Sequence, residues 1–243
     1  MVPDARRPFL TARWEHLLLL NYPCPRERLE PLVPAGTELD PWDGQTLVSL
    51  VGFVFADTRL FGVPMPFHRT FEEVNLRFYV RRRTPAGDRR AVVFIRELVP
   101  RRAIAWTARL AYNEPYVAVP MGHEVALDPS TGGTVEYRWR YRGGNYRMAA
   151  RPAGPAEPLR PGTEAEFITE HYWGYTRQRD GGTLEYQVAH PPWNVWSVPG
   201  AGFAGHAAAL YGPAFGDVLS APPRSAFVAV GSAVTVYPGR PLA

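Results

Sequence analysis

The sequence predicts a mainly β domain of the α+β kind, its strands mostly antiparallel and curled or closed, with a few short helices packed outside. Three observations predict it. Long helical periodicity is scarce; short runs of β-branched and aromatic residues recur, several alternating at period two; and 26 prolines with 22 glycines punctuate them without any repeat. At 243 residues, with 46% apolar and 21% charged side chains, the chain supports a substantial core and reads as one domain over 1–243.

The elements follow in order. "RWEHLLLLNY" reads as a buried strand, and "PRERLEPLVP" as a one- or two-turn helix stopped before Pro34. "TLVSLVGFVF", residues 46–55, is continuous enough in apolar residues to be covered on both faces. After the proline-rich "RLFGVPMPFHR", the strands "FEEVNLRFYV" and "DRRAVVFIREL" form a hairpin across "TPAG". "RRAIAWTARLAY" fits a short helix and a strand equally. In "TVEYRWRYR" the row Val135, Tyr137, Trp139, Tyr141 is the face to be buried. Residues 151–163, "RPAGPAEPLRPGT", read as an exposed linker joining parts of one sheet system. "HYWGYTR" and "LEYQVAH" pair across "QRDGG", "GHAAALYG" supplies a short helix, and "SAFVAVGSAVTVY" a final strand. The expected total is about nine strands and two or three short helices.

Composition excludes some functions. All 27 basic residues are arginine, so no side-chain amine exists to form a Schiff base. The lone Cys24 forms no internal disulfide and stands in no nucleophile or metal motif. The first 16 residues hold no signal-like apolar run and "LLLL" is far too short for a membrane span, so the expected compartment is the cytoplasm, with no membrane partner. The net charge is +4, with arginine pairs and triplets at 81–83, 89–90 and 101–102; at a hairpin tip these solubilise a turn, and nucleic acid is not the expected partner. Homo-oligomerisation is left open.

Chemistry concentrates on residues 71–80. Val74, Leu76, Phe78 and Val80 share one side, and Glu73, Asn75, Arg77 and Tyr79 the other, with Glu72 out of phase as a strand-end carboxylate. Residues four apart on a strand are about 13 Å apart, so Glu73 and Arg77 need partners from elsewhere. Two readings fit: a solvated face, or the polar lining of a small-molecule pocket. The pocket is preferred, because Asn75 and Tyr79 do not suit a purely solubilising face. His171, His190 and Glu185 could be imagined as a metal site, but no H-x-H, H-E-x-x-H or paired cysteines occur, so no metal is expected. No glycine turn has the spacing of a dinucleotide or phosphate loop, and no organic cofactor is expected. Trp193 and Trp196 read as a core plug or pocket wall.

The ordered segments "RLEPLVPAGTELDPWDG", "FEEVNLRFYV", "ARLAYNEPYVAVPM", "TEHYWGYT" and "HPPW" resemble the bacterial YqjF-like family, domain of unknown function 2071, over nearly the whole chain. The resemblance implies an acetoacetate-decarboxylase-like fold: a conical, strongly bent, barrel-like β structure around an internal cavity. It brings no activity with it. The decarboxylases of that superfamily use a lysine after a proline in the segment resembling "ARLAYNEPYVAV"; here Tyr116 follows Pro115, while their pocket glutamate corresponds to Glu73. The implied site has Glu73 and Tyr116 as catalytic residues, and Asn75, Arg77, Tyr79 and Arg109 as binding residues for an anionic ligand. The expected function is cofactor-independent acid–base chemistry on an oxo- or carboxylate-bearing molecule, or non-catalytic binding of one, with association to an anion or RNA through the arginine runs as the third and least favoured reading.

Overall fold

The apolar runs at 10–23 and 47–60 become the two longest strands, 14 residues each. The structure, a computed structural model, describes residues 7–66, 68–101 and 113–242. Its strands are β1 (Leu10–Pro23), β2 (Glu38–Leu39), β3 (Leu47–Leu60), β4 (Val63–Pro64), β5 (Phe71–Arg82) and β6 (Arg89–Val99). After the segment 102–112 come β7 (Tyr116–Ala118), β8 (Met121–Asp128), β9 (Gly132–Tyr141), β10 (Gly144–Ala150) and β11 (Glu157–Pro158). The chain ends with β12 (Trp173–Arg177), β13 (Thr183–Ala189), β14 (Asn194–Ser197), β15 (Gly202–Ala204), β16 (Ser225–Val236) and β17 (Arg240–Pro241). Of the segment that fits helix and strand equally, residues 102–112 lie outside the described residues, Arg109 among them.

The large sheet curls until it meets itself. Its order β16-β1-β3-β5-β6-β12-β13 returns to β16 through the pairs Val188↔Val236 and Ala189↔Thr235, giving a ring of seven strands. Pairing is antiparallel except where β6 meets β12 and β7. The mainly β expectation is therefore met, with more strands than the nine read. The additional ones are bridges of two to four residues and the strands β8 and β10, whose mixed small and polar residues carry little alternation of their own.

Period two sorts the core into an outer and an inner layer. Val74, Leu76, Phe78 and Val80 pack outward, beneath the second sheet (order β15-β10-β9-β8) and the helices Ala207–Tyr211 and Gly216–Ser220. Tyr137, Trp139 and Met148 of that sheet are buried against the ring, the aromatic row turning inward as its alternation requires. Close approach depends on Gly52, where a Cβ would fall 2.7 Å from the Tyr137 ring. The inner layer holds Phe53, Phe55, Phe71, Val92, Trp193 and Phe227, and it surrounds a cavity. The helix Glu164–Thr169 reaches this layer too. Thr163 caps it by accepting from the Glu166 amide, Glu166 reaches back to the Gly162 amide, and Phe167 and Ile168 are buried.

The arginine runs at the β5–β6 hairpin are used internally. Arg81 and Arg83 both bond Glu38, Arg82 and Arg89 converge on Glu185, and Arg90 pairs with Asp40. Residues 151–163 are largely exposed, yet β11 pairs with β14 and the amides of Gly154 and Ala156 bond Thr131 and Pro129. Among the described residues no helix is long and apolar enough to cross a membrane.

Candidate functional site

Strand β5 is buried on both faces, so its polar row is not a solvated surface. Glu73 and Asn75 are each 2% exposed. With Arg77 they line a cavity of about 160 Å³ inside the ring, and Tyr79 does not. The Tyr79 hydroxyl lies 2.5 Å from Ser49 Oγ, which donates to Asn21, and its ring packs on Phe167 and His171. Tyr79 thus buttresses the wall rather than lining it. Glu72 is not a free strand-end carboxylate either, since His123 of β8 bonds it at 2.8 Å.

Register brings the other groups together. Asn75 on β5 faces Glu97 on β6, and Glu97 faces Tyr116 on β7, so three neighbouring strands present one polar row. Asn75 Nδ2 donates to Glu73 Oε1 and the Tyr116 hydroxyl donates to Glu73 Oε2, both at 3.0 Å. Glu97 lies against Tyr116 and Glu114, with its Oε2 buried and unpartnered among the described residues. Glu114 accepts from Thr176 at 2.5 Å and from Tyr186 at 3.0 Å. Gly174 makes room for that tyrosine, because a Cβ there would fall 2.1 Å from its ring.

Glu97 and Glu114 were not found by sequence reasoning. Along "RAVVFIREL" strict alternation puts Glu97 opposite Val92 and Phe94. A bulge shifts the β5–β6 register between Leu76 and Arg77, leaving Ile95 unpaired, so that Val92, Phe94 and Glu97 all line the cavity. Glu114 stands in the turn before β7, where no periodicity operates.

Burial governs the charges. Removal from water raises the Glu73 carboxyl to about 7, against the lowering influence of Asn75, Tyr116 and Arg77. Glu114 is raised to about 7 for the same first reason, opposed by the Thr176 and Tyr186 hydroxyls. Glu97 is pushed well above the usual carboxylate range by burial and then by the neighbouring Glu114 and Glu73. Three carboxyls this close share their protons as one system. On the opposite side, burial and then Arg90 and Arg77 hold His171 well below its usual value. Burial lowers His190 to about 4, and its ring stacks on Trp193 at 4.3 Å. Arg77 donates to the Ile168 carbonyl at 3.1 Å and keeps a buried, unpartnered Nε.

The cavity therefore has Glu73, Asn75, Arg77, Tyr116, His171 and His190 among its lining, with Trp193 as a wall. Trp196 is core, its indole bonded to the Gly154 carbonyl. Glu185 serves Arg82, Arg89 and Tyr175, and so does not join the two histidines. Among the described residues no group of three or more His, Cys, Asp or Glu is arranged to hold a metal ion.

The bent β ring around this cavity is an acetoacetate-decarboxylase-like fold. Acetoacetate decarboxylase from Legionella pneumophila superposes with a TM-score of 0.66 at 16% identity, covering 100% of this chain and 92% of that one. An acetoacetate decarboxylase-like enzyme from Sphingomonas wittichii RW1 gives 0.65 at 15% identity, over 100% and 94%. The enduracididine biosynthesis enzyme MppR, complexed with pyruvate, gives 0.66 at 11%, over 99% and 93%. Residues 11–232 match the family DUF2071, described as an uncharacterized conserved protein, and the chain belongs to that family. Uncharacterized protein YqjF of Bacillus subtilis is 28% identical over 185 residues, 74% of this chain and 72% of its own.

Proposed function

We propose that the cavity binds a small oxo acid and that Glu73 exchanges a proton at the carbon beside its carbonyl, without an organic cofactor. The observation that carries this reading is the Glu73 carboxyl itself. It faces the cavity, is gripped by Asn75 and Tyr116, and is raised to about 7, where a group both takes and gives protons readily. Glu73 removes the proton as the electrons of the C–H bond move toward the carbonyl oxygen. Once Glu73 holds that proton, the Tyr116 hydroxyl turns from it and donates to the enolate oxygen, in a medium where such bonds gain strength. Arg77, with its unused Nε, anchors the substrate carboxylate. Imine chemistry has no part, since the sequence contains no lysine. The resemblance in fold to MppR, which has been seen with pyruvate, supports the substrate class at the level of fold alone.

The experiment is a thermal-shift series with 2-oxo and 3-oxo acids, followed by deuterium exchange at the substrate carbon read by proton NMR. Ligand at about a thousand times its Kd stabilises by roughly 4 kcal/mol. Stabilisation lost in Arg77→Gln, with exchange lost in Glu73→Gln, is the expected pair of results. Stabilisation without exchange would make the protein a binding module, and no stabilisation by any oxo acid would overturn the reading.

A further inference from the structure

Resting on that reading, we propose that the substrate is an aromatic 2-oxo acid whose ring sits against Trp14, Phe55 and Phe71. These three face one another across adjacent strands, Trp14 of β1 with Phe55 of β3, and Phe55 with Phe71 of β5, and all three line the cavity. The rings of Phe55 and Phe71 stack at 4.8 Å, Trp14 meets Phe55 edge-on at 6.1 Å, and Phe53 lies 5.2 Å from both Trp14 and Phe55. Aromatic walls of this kind attract a further ring beyond the effect of area alone.

The wall lies at one end of an ordered series. Along β5 the cavity side reads Phe71, Glu73, Asn75, Arg77, with Cα atoms about 6.6 Å from one to the next. The match to a shorter substrate is therefore one of order, with the long Glu73 and Arg77 side chains converging on it. The chemical order is apolar wall, acid–base carboxyl, amide, guanidinium. An aromatic 2-oxo acid has the same order: ring, methylene, carbonyl, carboxylate. Its exchangeable hydrogen is on the methylene, between ring and carbonyl, as Glu73 stands between Phe71 and Asn75. The step balances without a co-reactant. Glu73 takes the methylene proton, the C–H electrons form the enolate double bond, and the carbonyl oxygen is held by Tyr116. Return of the proton to oxygen gives the enol, in which the new double bond is conjugated with the ring. The cavity, about 160 Å³, has room for the ring of such a substrate, since roughly 150 Å³ accommodates benzene in an apolar interior. Pyruvate alone would leave the aromatic wall uncovered.

The test compares phenylpyruvate, pyruvate and phenylethylamine by calorimetric titration on the wild type and on Phe71→Leu, a change that keeps the position apolar while removing its ring. Phenylpyruvate should bind the wild type at least about tenfold more tightly than pyruvate, and most of that ratio should vanish in Phe71→Leu with pyruvate unaffected. Equal binding of the two acids by the wild type would overturn the aromatic inference and leave the oxo-acid reading standing. Binding of phenylethylamine in preference to both acids would overturn the two together, since the carboxyl cluster would then serve a cation. The wild-type ratio decides even if the variant fails to fold.

Discussion

Tyr116 donates its hydroxyl to Glu73 at 3.0 Å from a strand two places away in the sheet, across Glu97 of β6. One phenol thus connects two buried carboxyls that both resist ionisation. In Tyr116→Phe the Glu73 carboxylate loses a donor that favours its charged form, so its pKa moves above 7. Carbon NMR titration of the Glu73 carboxyl reads this directly. The lost bond should also cost about 1–3 kcal/mol in urea unfolding above neutral pH. A titration curve identical to wild type would contradict the geometry.

The cluster also sets how stability varies with pH. A carboxyl with a raised folded pKa keeps a proton that the unfolded chain has released. Its contribution is therefore full below the unfolded value near 4.5 and is lost as pH rises through the folded value, about 7 for Glu73 and Glu114 and higher for Glu97. His190 acts in the opposite sense, and only as pH falls from 6.5 toward 4. Between about pH 6.5 and 8 the carboxyls dominate, so wild-type stability should fall as pH rises. Glu97→Gln removes the group most opposed to charge, and its unfolding free energy should be flatter over that interval. Urea midpoints at the two pH values check it, and equal slopes for wild type and variant would refute it.

What the sequence made legible was whatever alternates. The strand at 71–80 shows its two faces in the sequence, and the resemblance points the polar one inward, which is where Glu73, Asn75 and Arg77 line the cavity. Tyr116 came through the resemblance. Tyr79 follows the same alternation yet belongs to the wall, because Ser49 across the sheet captures its hydroxyl. Glu97 was hidden by a bulge, which reverses the phase without a glycine or proline to mark it. Glu114 was hidden in a turn, with only its place one residue before Pro115 to set it apart. Periodicity reports which face a strand buries; it carries no information on where ladders slip or which loops enter the interior.

Tyr79→Phe separates the wall from the lining. The variant removes a buried hydroxyl that shares the Ser49–Asn21 network, leaving a polar atom short of a partner. Chemical unfolding should register a loss of about 1–3 kcal/mol. Ligand affinity measured by titration should stay within about twofold of wild type, because the ring itself is retained. A larger loss of affinity would return Tyr79 to the binding face.

Gly174→Ala tests whether the space at Gly174 is what lets Tyr186 hold Glu114. Gly174 and Tyr186 are cross-strand partners on β12 and β13, and a Cβ at 174 would fall 2.1 Å from the tyrosine ring, far inside contact distance. Since both are packed in the interior, the ring must move or the strands must part. Overpacking of this kind costs about 1–3 kcal/mol, so the variant should fold with a lowered melting temperature. A displaced Tyr186 withdraws its hydroxyl from Glu114, and that bond favours the charged carboxylate. The Glu114 titration should therefore move upward from about 7, as it should in Tyr186→Phe, where no clash arises. Agreement between the two variants in carbon NMR assigns the shift to the lost hydroxyl. An upward shift in Gly174→Ala alone would assign it to distortion of the strands instead.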